Sequence, residues 1–79
     1  MLKALICEDQ EENALYLKGT LEQIEGVEVV GHATDGTAAV AMVKSLSPSV
    51  VFMDIGLPGM DGLSTIEIIK SIAPDIITV

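Results

Sequence analysis

Residues 49–62 read S-V-V-F-M-D-I-G-L-P-G-M-D-G, and few folds accommodate such a stretch. The apolar run Val50 to Met53 ends on Asp54, and Gly56, Pro58, Gly59, Asp61 and Gly62 crowd in behind it. A short apolar run bounded by turn formers reads as a strand buried on both faces. Open α/β sheets keep their ligands at the carboxyl ends of such strands. Asp54 is therefore the candidate reactive residue, and the remainder of the chain is read for residues that would assist it.

The N-terminal run Leu2 to Cys7 (L-K-A-L-I-C) stops at Glu8 and Asp9, which predicts a second buried strand with carboxylates at the same end. A helix follows over Glu11 to Glu25, with Ala14, Leu17, Leu21 and Ile24 in one apolar stripe. Glu11 and Glu12 suit the positive end of its dipole and Gly26 suits its stop. Gly19 inside it costs up to ~1 kcal/mol against alanine. Val27 to Ala33 (V-E-V-V-G-H-A) reads as a strand near a sheet edge, with His32 as a solvated strand-end residue. Thr34-Asp35-Gly36-Thr37 makes a turn and an N-cap for a helix over Ala38 to Leu46. A third helix is predicted over Leu63 to Ile72, with Leu63, Ile66, Ile69 and Ala73 on one face and Asp61 as its cap. Ile76 to Val79 begins a fourth strand. Strands alternating with short helices imply βαβ units and a parallel sheet with helices on both faces.

Composition limits what such a unit can be. At 79 residues the chain has room for one small domain, and such a domain buries only about 60% of its unfolded surface. The net charge of −8 argues against nucleic acid as a partner of this segment, although acidity also serves solubility. Cys7 is the only cysteine, so no internal disulfide forms, and its apolar surroundings predict a buried structural thiol. The N-terminus lacks the layout of a signal peptide, and no apolar run approaches the ~20 residues of a membrane span. A soluble, cytoplasmic chain with no membrane partner is expected.

In a parallel sheet with the first and third strands adjacent, Glu8, Asp9 and Asp54 converge at one edge. Two carboxylates ~4 Å apart repel by about 4 kcal/mol at an effective dielectric of 20. Such a cluster persists when one carboxyl is protonated or a cation sits among them. Oxygen ligands with room for water suit Mg²⁺. A carboxylate nucleophile accepting a phosphoryl group is then the natural chemistry. Each residue alone has a plainer explanation: a turn former for Asp54, a helix-terminal charge pair for Glu8 and Asp9. Only their coincidence argues for a metal.

The pieces L-I-C-E-D-Q, V-V-G-H-A-T-D-G and P-S-V-V-F-M-D-I-G-L-P-G-M-D-G, with the spacing between them, resemble the receiver domain of two-component response regulators. The resemblance runs through the whole chain. It implies that Asp54 is a phosphoacceptor, supplied by a histidine kinase or phosphotransfer protein. It implies Asp9 as a direct Mg²⁺ ligand, Glu8 as a helper through water or hydrogen bonds, and the Gly56 backbone carbonyl as a further ligand. It also implies a flavodoxin-like sheet, here of order 2-1-3-4, with residues 1–79 forming the N-terminal part of a receiver. Receivers also carry a Ser or Thr at the end of strand 4 and a Lys at the end of strand 5. Thr78 comes too early for the first role, and no residue is assigned to the second.

Other classes fit less well. A haloacid-dehalogenase-type phosphatase wants a second Asp two residues after the nucleophile, where Gly56 stands. A dinucleotide fold needs glycines in the first strand-to-helix turn, which here reads E-D-Q-E-E. A non-catalytic interaction fragment keeps the fold without the chemistry and would self-associate through the strand 4 edge. That apolar edge is free to pair with another chain, and one face of the first and third strands lacks cover. The 79-residue chain is therefore expected to be partly unfolded or to associate in sedimentation velocity runs. A compact monomer, unchanged on dilution, would contradict this.

Overall fold

The computed structural model describes residues 1–54 and 61–79. Strand alternation decides where its helices pack. In β1 (Leu2–Cys7), Ala4 and Ile6 point to one face of the sheet and Leu5 and Cys7 to the other, and all are buried. Helix α1 (Glu11–Glu22) covers the first pair with Ala14 and Leu21. Helices α2 (Gly36–Leu46) and α3 (Gly62–Ile72) cover the second with Ala39, Val43 and Ile69. Strands β2 (Val27–Ala33) and β3 (Val50–Met53) flank β1 in parallel, and β4 (Ile77–Thr78) lies beyond β3. The order β2-β1-β3-β4 is the expected flavodoxin-like arrangement. No helix among the described residues is long and apolar enough to cross a membrane.

The two layers are unequal. The first strand, expected to lack cover on one face, is buried on both; in β3, Val50 and Val51 are buried and Phe52 and Met53 at its carboxyl end are half-buried. Phe52 faces the α1 side, where one helix serves β1, β2 and β3 together. Beyond β3, Ile77 and Val79 are exposed at the sheet edge, and Ile76 rather than the strand itself supplies the buried contact.

Local chemistry sets the helix ends. Asp35 accepts a 2.7 Å hydrogen bond from the Ala38 amide, so α2 starts at Gly36 on the expected cap, two residues earlier than the pattern indicates. Asp61 accepts from the Ser64 amide at 2.9 Å and from its hydroxyl at the same distance, capping α3 as expected. Those bonds hold the exposed Asp61 carboxyl below the usual aspartate range. Helix α1 ends three residues before the predicted Glu25. There Gln23 and Ile24 bond back three residues, to Thr20 and Leu21, before Gly26 turns the chain at φ 88°.

Two predicted faces are corrected. Ile24 is outside the α1 stripe and 52% exposed, because the helix has already ended. On α3 the buried face runs through Gly62, Thr65 and Ile69, leaving Leu63 65% exposed. Thr65 can be buried because its hydroxyl donates to the Asp61 carbonyl at 2.8 Å.

One irregularity interrupts the sheet. Ala4 pairs with Val29 but Leu5 pairs with Gly31, so Val30 is an extra residue in β2. Val27 and Val29 pack on the α1 side, whereas Ala33 joins the α2–α3 core. A Cβ on Gly31 would lie 2.9 Å from the Leu46 side chain and 3.1 Å from that of Leu5, so glycine lets both leucines close over the bulge.

No comparable reason holds at Gly19, where an added Cβ meets nothing within 4 Å. Gly19→Ala is expected to stabilise the fold by up to ~1 kcal/mol, read as a higher midpoint in urea with an unchanged slope.

Candidate metal and phosphoacceptor site

The site is assembled by backbone hydrogen bonds that run one residue past the strands. Cys7 pairs with Met53 in the β1–β3 ladder, and the Asp54 amide then donates to the Cys7 carbonyl at 3.0 Å. On the opposite side the Glu8 amide donates to the Ala33 carbonyl at 2.9 Å. Glu8 and Asp54 are thus pinned next to each other at the carboxyl edge, and Asp9 follows where the chain leaves the sheet. The Asp9 amide donates to a Glu8 carboxylate oxygen at 3.1 Å.

The sequence-predicted acids do converge: one oxygen from each of Glu8, Asp9 and Asp54 lies within 4.8 Å of the others. Glu8 and Asp54 are half-buried and Asp9 is exposed. A hydrogen bond between the Glu8 and Asp54 carboxyls raises the Glu8 pKa above the ordinary glutamate range. Desolvation and the negative charges of Asp54 and Asp9 push the same way, while a hydrogen bond with Asn13 opposes them. Two carboxyls can share a hydrogen bond only with a proton between them. The cluster therefore holds a proton more tightly than separate acids would, and a cation placed there would displace it.

A cleft of about 280 Å³ opens beside the acids, lined by Asn13 and Leu17 of α1, Phe52 of β3, and Val79. Glu8 and Asp54 line it too. Gly56, expected to contribute its carbonyl, lies outside the described residues. Thr78 pairs with Val51, back from the edge where Asp54 stands. Cys7 borders the cleft but is buried, and desolvation pushes its thiol up to about 12. At that value it is a structural thiol, not a nucleophile.

Sequence reasoning missed two neighbours of the cluster. Asn13 reaches Glu8 from α1, a contact no pattern in the first helix signals. His32 is half-buried, not merely solvated, and its Nε2 lies 2.7 Å from the Glu8 carbonyl oxygen.

Comparison with known proteins identifies the family. A family model described as the response regulator receiver domain matches residues 4–79. Protein-glutamate methylesterase/protein-glutamine glutaminase 4 of Geobacter metallireducens is 48% identical over 63 residues, which are 80% of this chain and 18% of that protein. The transcriptional regulatory protein LiaR of Bacillus subtilis is 38% identical over 63 residues, 80% of this chain and 30% of LiaR. The chain thus spans less than a third of either relative. Among solved structures, the response regulator domain of Thermotoga maritima CheB superposes with a TM-score of 0.91 at 30% identity, covering 99% of this chain and 59% of that one. RcsB of Salmonella enterica serovar Typhimurium, bound to a promoter, gives a TM-score of 0.90 at 31% identity, with 98% and 40% covered. RcsB's promoter complex leaves the expected exclusion of nucleic acid, which rested on charge alone, without support. The family model covers nearly the whole chain and the sheet order agrees with it: the chain belongs to the response regulator receiver domain family.

Proposed function

We propose that this receiver accepts a phosphoryl group on Asp54 from a histidine kinase or phosphotransfer protein, with Mg²⁺ held by Glu8, Asp9, Asp54 and the Gly56 backbone carbonyl. The observation that carries this reading is the meeting of three carboxylates from two strand ends within 4.8 Å. Asp54 is favoured as acceptor over its neighbours. Its backbone amide is fixed by the Cys7 carbonyl, and it lines the cleft, as Glu8 does. Asp9 is exposed and does not line the cleft, and the Glu8 pKa is raised by its neighbours Asp54 and Asp9.

In the proposed transfer, an Asp54 carboxylate oxygen attacks phosphorus in line as the phosphorus–nitrogen bond to the donor imidazole breaks. The departing imidazole regains its neutral form by taking up a proton, and Asp54 becomes an acyl phosphate. Bound Mg²⁺ would offset the negative charge of the carboxylates and of the incoming phosphoryl oxygens. The donor set fits that ion, since carboxylates and a carbonyl are hard oxygen ligands and the open cleft leaves room for water. The receiver itself is a signalling module, whereas the methylesterase and the promoter-bound regulator are longer than the part this chain matches. The proposal concerns residues 1–79, and the output of the longer relatives remains theirs.

The shared proton gives a pH-dependent signature. A raised Glu8 pKa means that the folded chain binds this proton more tightly than the unfolded chain. Its contribution favours folding below the ordinary glutamate range and is lost as pH rises through the raised value. Metal-free protein is thus expected to melt at lower temperature as pH rises through that interval. Glu8→Gln should flatten the slope and melt higher at neutral pH in stepped-pH circular dichroism. Added Mg²⁺ should raise the wild-type melting temperature more than that of the variant. An unchanged slope in the variant would remove the repulsion argument.

Phosphorylation has a direct readout in intact mass after incubation with Mg²⁺ and acetyl phosphate. One added phosphoryl group is expected, lost in Asp54→Asn and in chelator-treated protein. No adduct on a chain shown to be folded would favour the interaction-fragment reading, in which the exposed β4 edge at Ile77 and Val79 is the working surface.

A further inference from the structure

We infer that His32 is a positioning residue for the acidic site, holding the Glu8 carbonyl so that the Glu8–Asp9 turn presents its carboxylates beside Asp54. The inference rests on reading that cluster as a divalent-cation site. It stands on a separate observation, the 2.7 Å contact between His32 Nε2 and the Glu8 carbonyl oxygen. A carbonyl oxygen only accepts, so Nε2 carries the proton and donates it. The Glu8 amide already donates to the Ala33 carbonyl at 2.9 Å. The end of β2 therefore holds both polar groups of the Glu8 peptide backbone, its amide through Ala33 and its carbonyl through His32. With both fixed, the direction in which the chain leaves β1 toward Asp9 is fixed too.

The bulge at Val30 is what makes this contact available. Side chains alternate between faces along a strand, and an extra residue reverses the phase of all that follow. Val29 is on the α1 side, so in a regular strand His32 would point to the α2–α3 core and Ala33 to α1. The observed register instead pairs His32 with Ile6 and Ala33 with Cys7, which places His32 on the α1 side next to Ala14, Leu15 and Lys18. The same shift puts the small Ala33 into the packed core and Gly31 under Leu5 and Leu46. A bulge at a sheet edge that aims a side chain at a neighbouring site is a recurrent device. Here it connects the edge strand to the metal-binding turn.

The test is a Mn²⁺ titration followed by electron paramagnetic resonance on the folded chain, with Mg²⁺ competing and Asp54→Asn as the ligand control. His32→Phe keeps a ring without a donor, and His32→Gln places an amide N–H where Nε2 stood. His32→Met replaces the Phe variant if circular dichroism shows the larger ring unfolds the chain. Loss of a hydrogen-bonded support behind a metal ligand typically costs at least tenfold in affinity, so about tenfold weaker binding is expected for the donor-free variant, with most of it regained by His32→Gln. Equal affinity in all three, or equal loss in the Phe and Gln variants, would overturn the donor role. Absence of ion binding in the wild type, with no effect of Asp54→Asn, would instead overturn the cation reading, and this inference with it. Imidazole nitrogen shifts of the wild type in mildly alkaline buffer give an independent check. The Nε2–H tautomer is expected, and the Nδ1–H tautomer would refute the contact.

Discussion

Parallel pairing of β1 with β3 is the constraint on which this molecule depends. It supplies the centre of the sheet, because Leu5 and Val51 are both fully buried in it. It also forces like charges together, since both strands end on acids at the same edge. Hydrophobic burial of β1 and β3 is worth about 1.5–3 kcal/mol for each fully buried large side chain, and it is non-directional. The electrostatic cost at the strand ends is local and can be relieved by a proton or a cation. The fold can therefore carry a repulsive cluster at its edge while its middle stays closed. A divalent ion, as proposed above, would relieve that repulsion without disturbing the closed middle.

The two faces of the sheet do different work. On the α2–α3 side, both helices are capped by an aspartate, and alanine, valine and isoleucine close over Leu5, Cys7 and Val51. On the other side α1 lacks a side-chain N-cap, carries an unfavourable glycine and leaves Phe52 half-buried. That less complete side is also the one on which Asn13 and the cleft meet the acids. Access to Asp54 and weaker packing are thus two aspects of one arrangement. A tightly sealed α1 face would bury the carboxylates with nothing to neutralise them.

Strand β2 contributes more than its edge position suggests. Its hydrogen bonds to Glu8 make the Glu8–Asp9 turn an extension of the sheet rather than a free loop. Among the described residues β2 pairs only with β1, so that support comes from an edge element with one sheet partner. Displacement of this strand would move Glu8 before it moved Asp54, whose own support comes from Cys7 in the centre of the sheet.

The residue pattern alone was enough to determine the βα alternation, the parallel sheet, the caps at Asp35 and Asp61, and the strand-end placement of Glu8, Asp9 and Asp54. Each of these follows from short-range chemistry: apolar runs, turn formers and acids at fixed spacing. Tertiary structure decided what depends on partners remote in sequence. The α3 face turned because Thr65 could satisfy its hydroxyl on Asp61 and enter the core, leaving Leu63 outside. Helix α1 stopped early because its last turn tightened before Gly26. The Glu8 pKa is raised chiefly by a residue forty-six positions away in the chain, Asp54, which only strand pairing brings near. The orientation of His32 depended on a one-residue bulge, and alternation read along V-E-V-V-G-H-A cannot reveal it. A strand's period is set by its own residues, but its register is set by the strand beside it.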